Sequence, residues 1–136
     1  MQRLKTRAQF QAVMAGTIIA KTQHFALHRS WLDSRRLVLK NAELVEPDKL
    51  FSQQDIWIGA MVPKRWAKRA VTRNAIKRQI YTVSADFSQS YPQAAFVVRL
   101  RSGFARTEFT SAVSNQLKLA VRHEIQSLMQ AGAKAA

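Results

Sequence analysis

The sequence predicts an α+β fold: one domain, residues 1–136, in which a small sheet packs against helices. Two observations lead to this class. Segments with the alternation of strands lie between segments with the spacing of amphipathic helices, in the order αβββαβα. The 136 residues are 47% hydrophobic and include no cysteine, so the chain can bury one core without disulfides.

The first half of the chain supplies one helix and three strands. Residues 6–15 form the helix, because Thr6 can cap its first turn and Gly16 can end it. The strands share alternating or short, continuous apolar patterns and lie at residues 24–32, 36–40 and 56–62. In the first strand, one side carries Phe25, Leu27 and Trp31, and the other carries His24, Ala26 and His28.

Residues 33–55 are predicted to be mostly a polar, acidic excursion interrupted by Pro47. Their acidic residues are Asp33, Glu43, Glu46, Asp48 and Asp55. Such a group could hold a metal ion, but its spacing fits no calcium loop. A solvated loop is the favoured interpretation, and the sequence assigns these residues no role.

The second half adds two helices and one strand. A basic helix begins near residue 70, residues 86–93 form a connection, and residues 94–101 form a strand. Thr107 can cap a final helix with apolar residues three or four positions apart: Val113, Leu117, Val121, Ile125 and Leu128. Residues 130–136 are expected to fray.

The charge balance indicates a polyanionic partner. Lys and Arg total 22 against 8 Asp and Glu, a net charge of +14, which disfavours a compact domain unless an anion binds it. No lipidation signal, signal peptide or apolar run of roughly 20 residues is present, so no membrane partner is expected. We expect a cytoplasmic, nucleic-acid-binding domain.

The positive charge is concentrated in VPKRWAKRAVTRNAIKRQIY, residues 62–81, which contains seven Lys or Arg and no acidic residue. At 100° per residue, Ile76 and Ile80 share one side of the helix with Val83. The other side carries Arg73, Asn74, Lys77, Arg78 and Tyr81, and Lys64, Arg65, Lys68 and Arg69 precede it. A solvated helix would normally mix acidic residues among these, so polyanion binding is favoured over a merely solvated face.

The same residues resemble the signature of the bacterial ribonuclease P protein subunit, a V-[SAP]-K-[KR] strand end, a basic loop and then R-N-R-x-K-R on a helix. The resemblance covers most of the chain. RLKTRAQF, residues 3–10, is similar to the family's opening, and FALH and FVVRLRSG are similar to its strands.

This resemblance implies a fold in which the basic helix joins two parallel neighbouring strands by a left-handed crossover, which is rare. It also implies a function: a protein subunit of a ribozyme that removes the 5′ leader of precursor tRNA. The implied partners are the catalytic RNA, bound 1:1, and precursor tRNA. Mg²⁺ would be bound through the RNA, with no metal site and no catalytic residue in the protein.

Site residues follow from the same resemblance. The RNA subunit would contact Lys64, Arg65, Lys68, Arg69, Arg73, Asn74, Lys77 and Arg78. The leader would lie in a cleft between the first helix and the sheet, lined by Phe10, Met14, Ala26 and His28, with Tyr81 and Arg101. Phe10 could equally be a core residue. The chain departs from the family pattern at four positions, Met14, His28, Ala75 and Tyr81, of which Ala75 removes one guanidinium.

Three alternatives remain open. A metal-free nuclease could use paired histidines, but His24 and His28 would lie about 13 Å apart along a strand. A basic α+β ribosomal protein would bind ribosomal RNA in preference and stimulate no cleavage. A DNA-binding module could place the basic helix in a major groove, although no helix-turn-helix partner precedes it.

Overall fold

The computed structural model describes residues 1–32, 38–40, 43–45, 50–104 and 115–136. Within them lie ten strands and α-helices: β1 (Gln2–Arg3), α1 (Arg7–Met14), β2 (Thr17–Lys21), β3 (Phe25–Ser30), β4 (Val38–Lys40), β5 (Glu43–Val45), β6 (Trp57–Met61), α2 (Ala70–Asp86), β7 (Ala95–Leu100) and α3 (Asn115–Ala135). None of these helices combines the length and apolar character needed to cross a membrane.

Five strands form one mixed sheet in the order β1–β6–β7–β3–β2, and β4 and β5 form a separate hairpin. β6 and β7 are parallel neighbours joined through α2, with Trp57 opposite Ala95. β3 runs antiparallel to β7 and to β2. The predicted α+β class, with a basic helix linking two parallel strands, is confirmed.

The two faces of the sheet cover different helices, because side chains alternate along each strand. One face, which includes Leu27, Ile58 and Val98, belongs to the main core with the apolar residues of α2 and α3. The opposite face packs against α1 through Trp57 and Val97. The parity of a strand residue therefore decides on which side of the sheet it can act.

Local sequence signals explain the helices. Thr6 caps α1 as predicted: its Oγ1 accepts a bond from the backbone N–H of Gln9, and the Gln9 side chain accepts one from the N–H of Thr6. The predicted apolar residues of α2 are buried, namely Ile76, Ile80 and Val83. Those of α3 that the structure describes are buried too, namely Leu117, Val121, Ile125 and Leu128.

Several predicted boundaries need correction. β1 and β2 were not predicted, and the excursion at residues 33–55 contains the strand Glu43–Val45. β3 ends at Ser30, which leaves Trp31 52% exposed instead of on the strand with Phe25. Thr107 and Val113 lie outside the described residues.

The expected frayed tail is helical up to Ala135. A buried glycine of this last turn, Gly132, explains why: a methyl group there would collide with Leu27 and would lie 2.5 Å from Oη of Tyr91. The end of α3 is therefore packed closely on the sheet.

Candidate nucleic-acid interface

The first candidate surface, called here the basic surface, lies on α2 and the loop before it. It comprises Lys64, Arg65, Lys68, Arg69, Arg73, Asn74, Lys77 and Arg78, all exposed except the half-buried Arg73. The apolar side of α2 is buried on the sheet, so the charged side faces away from the core. Among the described residues the ion pairs are Met1–Asp55 and His24–Glu124. The basic surface therefore has no carboxylate partner within that part of the chain.

Arg73 differs from its neighbours because its guanidinium binds the backbone. Its Nη1 donates to the carbonyl oxygens of Ala67, at 3.0 Å, and Lys68, at 2.8 Å. The buried Ala67 also donates its N–H to the carbonyl of Pro63 at 3.2 Å. Arg73 thus fixes the loop that carries the exposed Lys68 and Arg69, in addition to the charge that it contributes.

The second candidate surface is a groove between α1 and the sheet, called here the α1 groove. Its predicted residues share one side of the sheet, since Phe10 and Met14 pack with the α1-side cluster and Ala26 and His28 alternate with the core residues of β3. Phe10 is half-buried, and its ring covers Gly59, where a methyl group would lie 2.6 Å from Phe10 Cε1. Phe10 therefore packs on the core and still exposes part of its ring.

His28 lies at the floor of the α1 groove and is only 3% exposed. Nε of Arg99 donates to its Nε2 at 3.0 Å, and its Nδ1 has no hydrogen-bond partner. Burial, followed by the positive charges of Arg99 and Lys21, lowers the pKa of His28 below its usual value of 6.5. The imidazole is therefore held neutral, beside a half-buried guanidinium.

Sequence reasoning did not select Arg99, although a signal was present. β7 alternates, and Arg99 pairs directly with Ala26 of β3, so it must share the face of Ala26 and His28. Arg101, which was selected, lies beyond the end of β7. Its Nε and Nη2 donate to the carbonyl oxygen of Thr22 at 2.9 and 2.6 Å, so it also stabilises the β2–β3 turn.

The structure places Tyr81 outside the α1 groove. Tyr81 belongs to α2, which packs on the opposite face of the sheet, and its ring lies 4.0 Å beneath the guanidinium of Arg3. The predicted grouping of Tyr81 with Phe10 and Met14 is corrected accordingly, because helix periodicity does not show which strand end a residue approaches.

The histidines are separated and have different partners. His24 precedes β3, bonds through Nδ1 to Oε1 of Glu124 on α3 at 2.7 Å and stacks on Phe104. His28 faces α1 and bonds to Arg99. Within the ranges that the structure describes, no three His, Asp or Glu residues group closely enough to hold a metal ion.

The family model described as Ribonuclease P matches residues 1–124 of the chain. The chain belongs to the ribonuclease P protein family. It is 36% identical over 95 residues to the ribonuclease P protein component of Nostoc sp. (strain PCC 7120), covering 68% of this chain and 66%, just under two thirds, of that relative.

Solved structures of ribonuclease P proteins share the fold. The protein from Staphylococcus aureus superposes with a TM-score of 0.63 at 17% identity, covering 96% of this chain and 94% of that one. The protein from Thermotoga maritima gives a TM-score of 0.60, also at 17% identity, covering 96% of each chain.

Two departures from the ribonuclease P family pattern now have a location. Ala75 is half-buried on α2, next to the exposed Asn74. Tyr81 fills the space between Arg3 and the outer edge of β6, where its hydroxyl accepts the N–H of Ala60 at 3.2 Å. A residue that departs from the family pattern is thus part of a specific set of contacts.

Proposed function

We propose that this chain is the protein subunit of ribonuclease P, which binds the catalytic RNA and the 5′ leader of precursor tRNA and assists endonucleolytic removal of that leader. The observation that carries the proposal is the basic surface in a member of this family. Seven exposed or half-buried cations lie on one side of α2 and its preceding loop, with no carboxylate partner among the described residues.

The basic surface would bind the RNA subunit. Guanidinium groups suit phosphate oxygens because they donate from a planar fork, and the ammonium of Lys77 adds a compact charge. Binding would release counterions from the RNA and would therefore weaken steeply as salt is added. Arg73 would act partly through the loop, since its bonds to Ala67 and Lys68 hold the neighbouring cations in place.

The α1 groove would receive the single-stranded leader. Single strands are bound by a positive groove with flat side chains on which bases stack, and the exposed part of the Phe10 ring offers such a surface. Ala26 leaves room beside the strand, and Met14 provides an apolar wall. Arg99 and Arg101 supply positive charge at the β7 end of the groove.

The chemistry is assigned to the RNA partner. The cations and the buried histidine of this chain bind and orient RNA, and Mg²⁺ bound by the RNA would supply the hydrolytic chemistry that yields a 5′-phosphate. One protein per RNA in the cytoplasm is the arrangement we propose.

The test is a reconstitution at low magnesium. The chain is mixed with a bacterial ribonuclease P RNA and an end-labelled precursor tRNA, beside protein-only and RNA-only controls. Cleavage at the mature 5′ end that requires both components supports the proposal. Cleavage by the protein alone overturns the assignment of the chemistry to RNA. No stimulation, with tighter binding to ribosomal RNA, favours a ribosomal role instead.

A further inference from the structure

A second cationic site lies on the α2 side of the sheet, away from the α1 groove. A cavity of about 440 Å³ is lined by Arg3, Lys77, Arg78, Tyr81 and Thr82. β1 brings Arg3 there, because Arg3 pairs with Ile58, whose side chain belongs to the α2-side core. The neighbouring residue Leu4 packs with the α1-side cluster, as strand alternation requires.

Tyr81 orients the guanidinium of Arg3. The carbon Cζ of Arg3 lies 4.0 Å from the centre of the Tyr81 ring, a cation–π distance. The tyrosine is held in turn, since its hydroxyl oxygen accepts the N–H of Ala60 at the edge of β6. Arg3 is thereby held above the ring while its planar N–H groups stay available.

The charges around this cavity are not balanced by the protein. Arg3, Lys77 and Arg78 contribute three positive charges, and among the described residues no carboxylate forms an ion pair with any of them. Like charges gathered around one cavity oppose one another unless an anion enters. The volume is within the range of small-ligand sites, about 300–1,000 Å³, so a phosphate with its ribose fits.

We propose that this cavity binds one phosphodiester group of the ribonuclease P RNA, with Arg3 and Lys77 contacting the same phosphate and Tyr81 acting as a positioning residue for Arg3. The inference rests on the proposed function and adds to it a specific contact made by the N-terminal strand. The RNA subunit is the assigned partner because the cavity and the α1 groove lie on opposite faces of the sheet, so the leader in the groove does not occupy both.

A double-mutant cycle tests whether the two cations share one phosphate. Binding of a fluorescently labelled bacterial ribonuclease P RNA is measured by anisotropy from 50 to 400 mM KCl, and the folding of each variant is checked by thermal unfolding. Arg3→Ala and Lys77→Ala should each weaken binding roughly tenfold, as loss of a charged hydrogen bond does. The double variant should weaken binding little further, and its salt slope should fall by about 1 and not about 2.

Matched variants separate this contact from general charge. Arg122→Ala removes one exposed cation from α3 and should change neither the affinity nor the slope. Tyr81→Phe keeps the ring beneath Arg3 and should bind nearly as the parent chain does, whereas Tyr81→Leu should resemble Arg3→Ala. Multiplicative losses in the double variant, or equal behaviour of Arg3→Ala and Arg122→Ala, would overturn the inference.

A second arm identifies the source of the phosphate. With RNA and protein saturating, Arg3→Ala should preserve the preference for precursor over mature tRNA. Loss of that preference would place the phosphate in the leader and contradict our assignment. If the parent chain prefers ribosomal RNA, the proposed function fails by itself, and the same cycle with that RNA still shows whether Arg3 and Lys77 share a phosphate.

Discussion

Arg99 donates a hydrogen bond from its Nε to Nε2 of His28, 3.0 Å away, across the neighbouring strands β7 and β3. The bond makes Nε2 an acceptor and so assigns the imidazole proton of the neutral ring to Nδ1. That Nδ1 is buried without a partner. A protonated ring could not accept this bond, and it would lie beside the charges of Arg99 and Lys21.

Acidification should therefore destabilise the fold through His28. Its pKa is lowered in the folded state, so below about pH 6.5 the unfolded chain binds a proton that the folded chain resists. The free energy of unfolding should be fully retained above that pH and should decline as the pH falls towards the folded pKa. His28→Gln keeps an acceptor for Arg99 and cannot titrate in this range, so urea denaturation at pH 7.5, 6 and 5 should show a shallower decline.

The control for this prediction is His123→Gln, which removes an exposed histidine of α3. It should retain the pH dependence of the parent chain. An unchanged dependence in His28→Gln would show that His28 does not contribute.

Gly59→Ala should destabilise the packing of α1 on β6. The added methyl group would lie 2.6 Å from Phe10 Cε1 and 2.8 Å from Leu4 Cδ1, so the side chains that cover the strand must move. Overpacking of this kind costs on the order of 1–3 kcal/mol of unfolding free energy. Denaturant unfolding measures the loss.

A compensating change tests the cause of that loss. Phe10→Leu removes the ring that collides with the methyl group, so the Gly59→Ala, Phe10→Leu double variant should lose less than the sum of the two single changes. Additive losses would indicate that the collision is relieved elsewhere.

Removal of the Glu124 carboxylate should loosen α3 from the β2–β3 turn. One oxygen, Oε2, accepts the hydroxyl of Thr22 at 2.6 Å and the N–H of His24 at 2.7 Å, and Oε1 contacts the His24 ring at 2.7 Å. Glu124→Ala leaves these groups without their acceptor and should cost about 1–3 kcal/mol. Thermal unfolding should show a smaller loss for Glu124→Gln, which keeps one carbonyl oxygen, and almost none for Asp86→Ala, at an exposed site. Equal losses for Glu124→Ala and Asp86→Ala would contradict this account.

Arg73 and Lys77 should differ although both belong to the basic surface. Both substitutions by alanine should weaken binding to the RNA subunit and flatten its salt dependence, because each removes a charge. Arg73→Ala should also lower the unfolding free energy, by about 1–2 kcal/mol, because two carbonyl groups lose their donor. Lys77→Ala should leave stability unchanged within about 0.5 kcal/mol. A salt slope unchanged in both variants would refute the placement of the RNA on α2.

The intact chain sets the scale for those slopes. If about six phosphates are neutralised, affinity for the ribonuclease P RNA should fall on the order of a thousandfold between about 50 and 200 mM monovalent salt. Electrophoretic mobility-shift titrations at these salt concentrations measure the fall. A loss of only a few-fold would mean that few cations of the basic surface meet phosphates.

Local patterns were sufficient for the main elements. The capping signal at Thr6, the helical spacing of Ile76 and Ile80 and the alternation in β3 each depend on residues a few positions apart. The basic side of α2 followed from the same spacing, because burial of one side of a helix exposes the other. The order of most helices and strands, the α+β class and the positive surface were therefore predictable.

Contacts between distant segments were decided by the tertiary structure alone. β1 is two residues long and exists because β6 offers an open edge, so no local signal predicts it. The same pairing brings Arg3 over Tyr81, and the pairing of β3 with β7 brings Arg99 to His28. A sequence pattern records the period of one segment, whereas these contacts depend on register and strand order, which the burial of the whole chain determines.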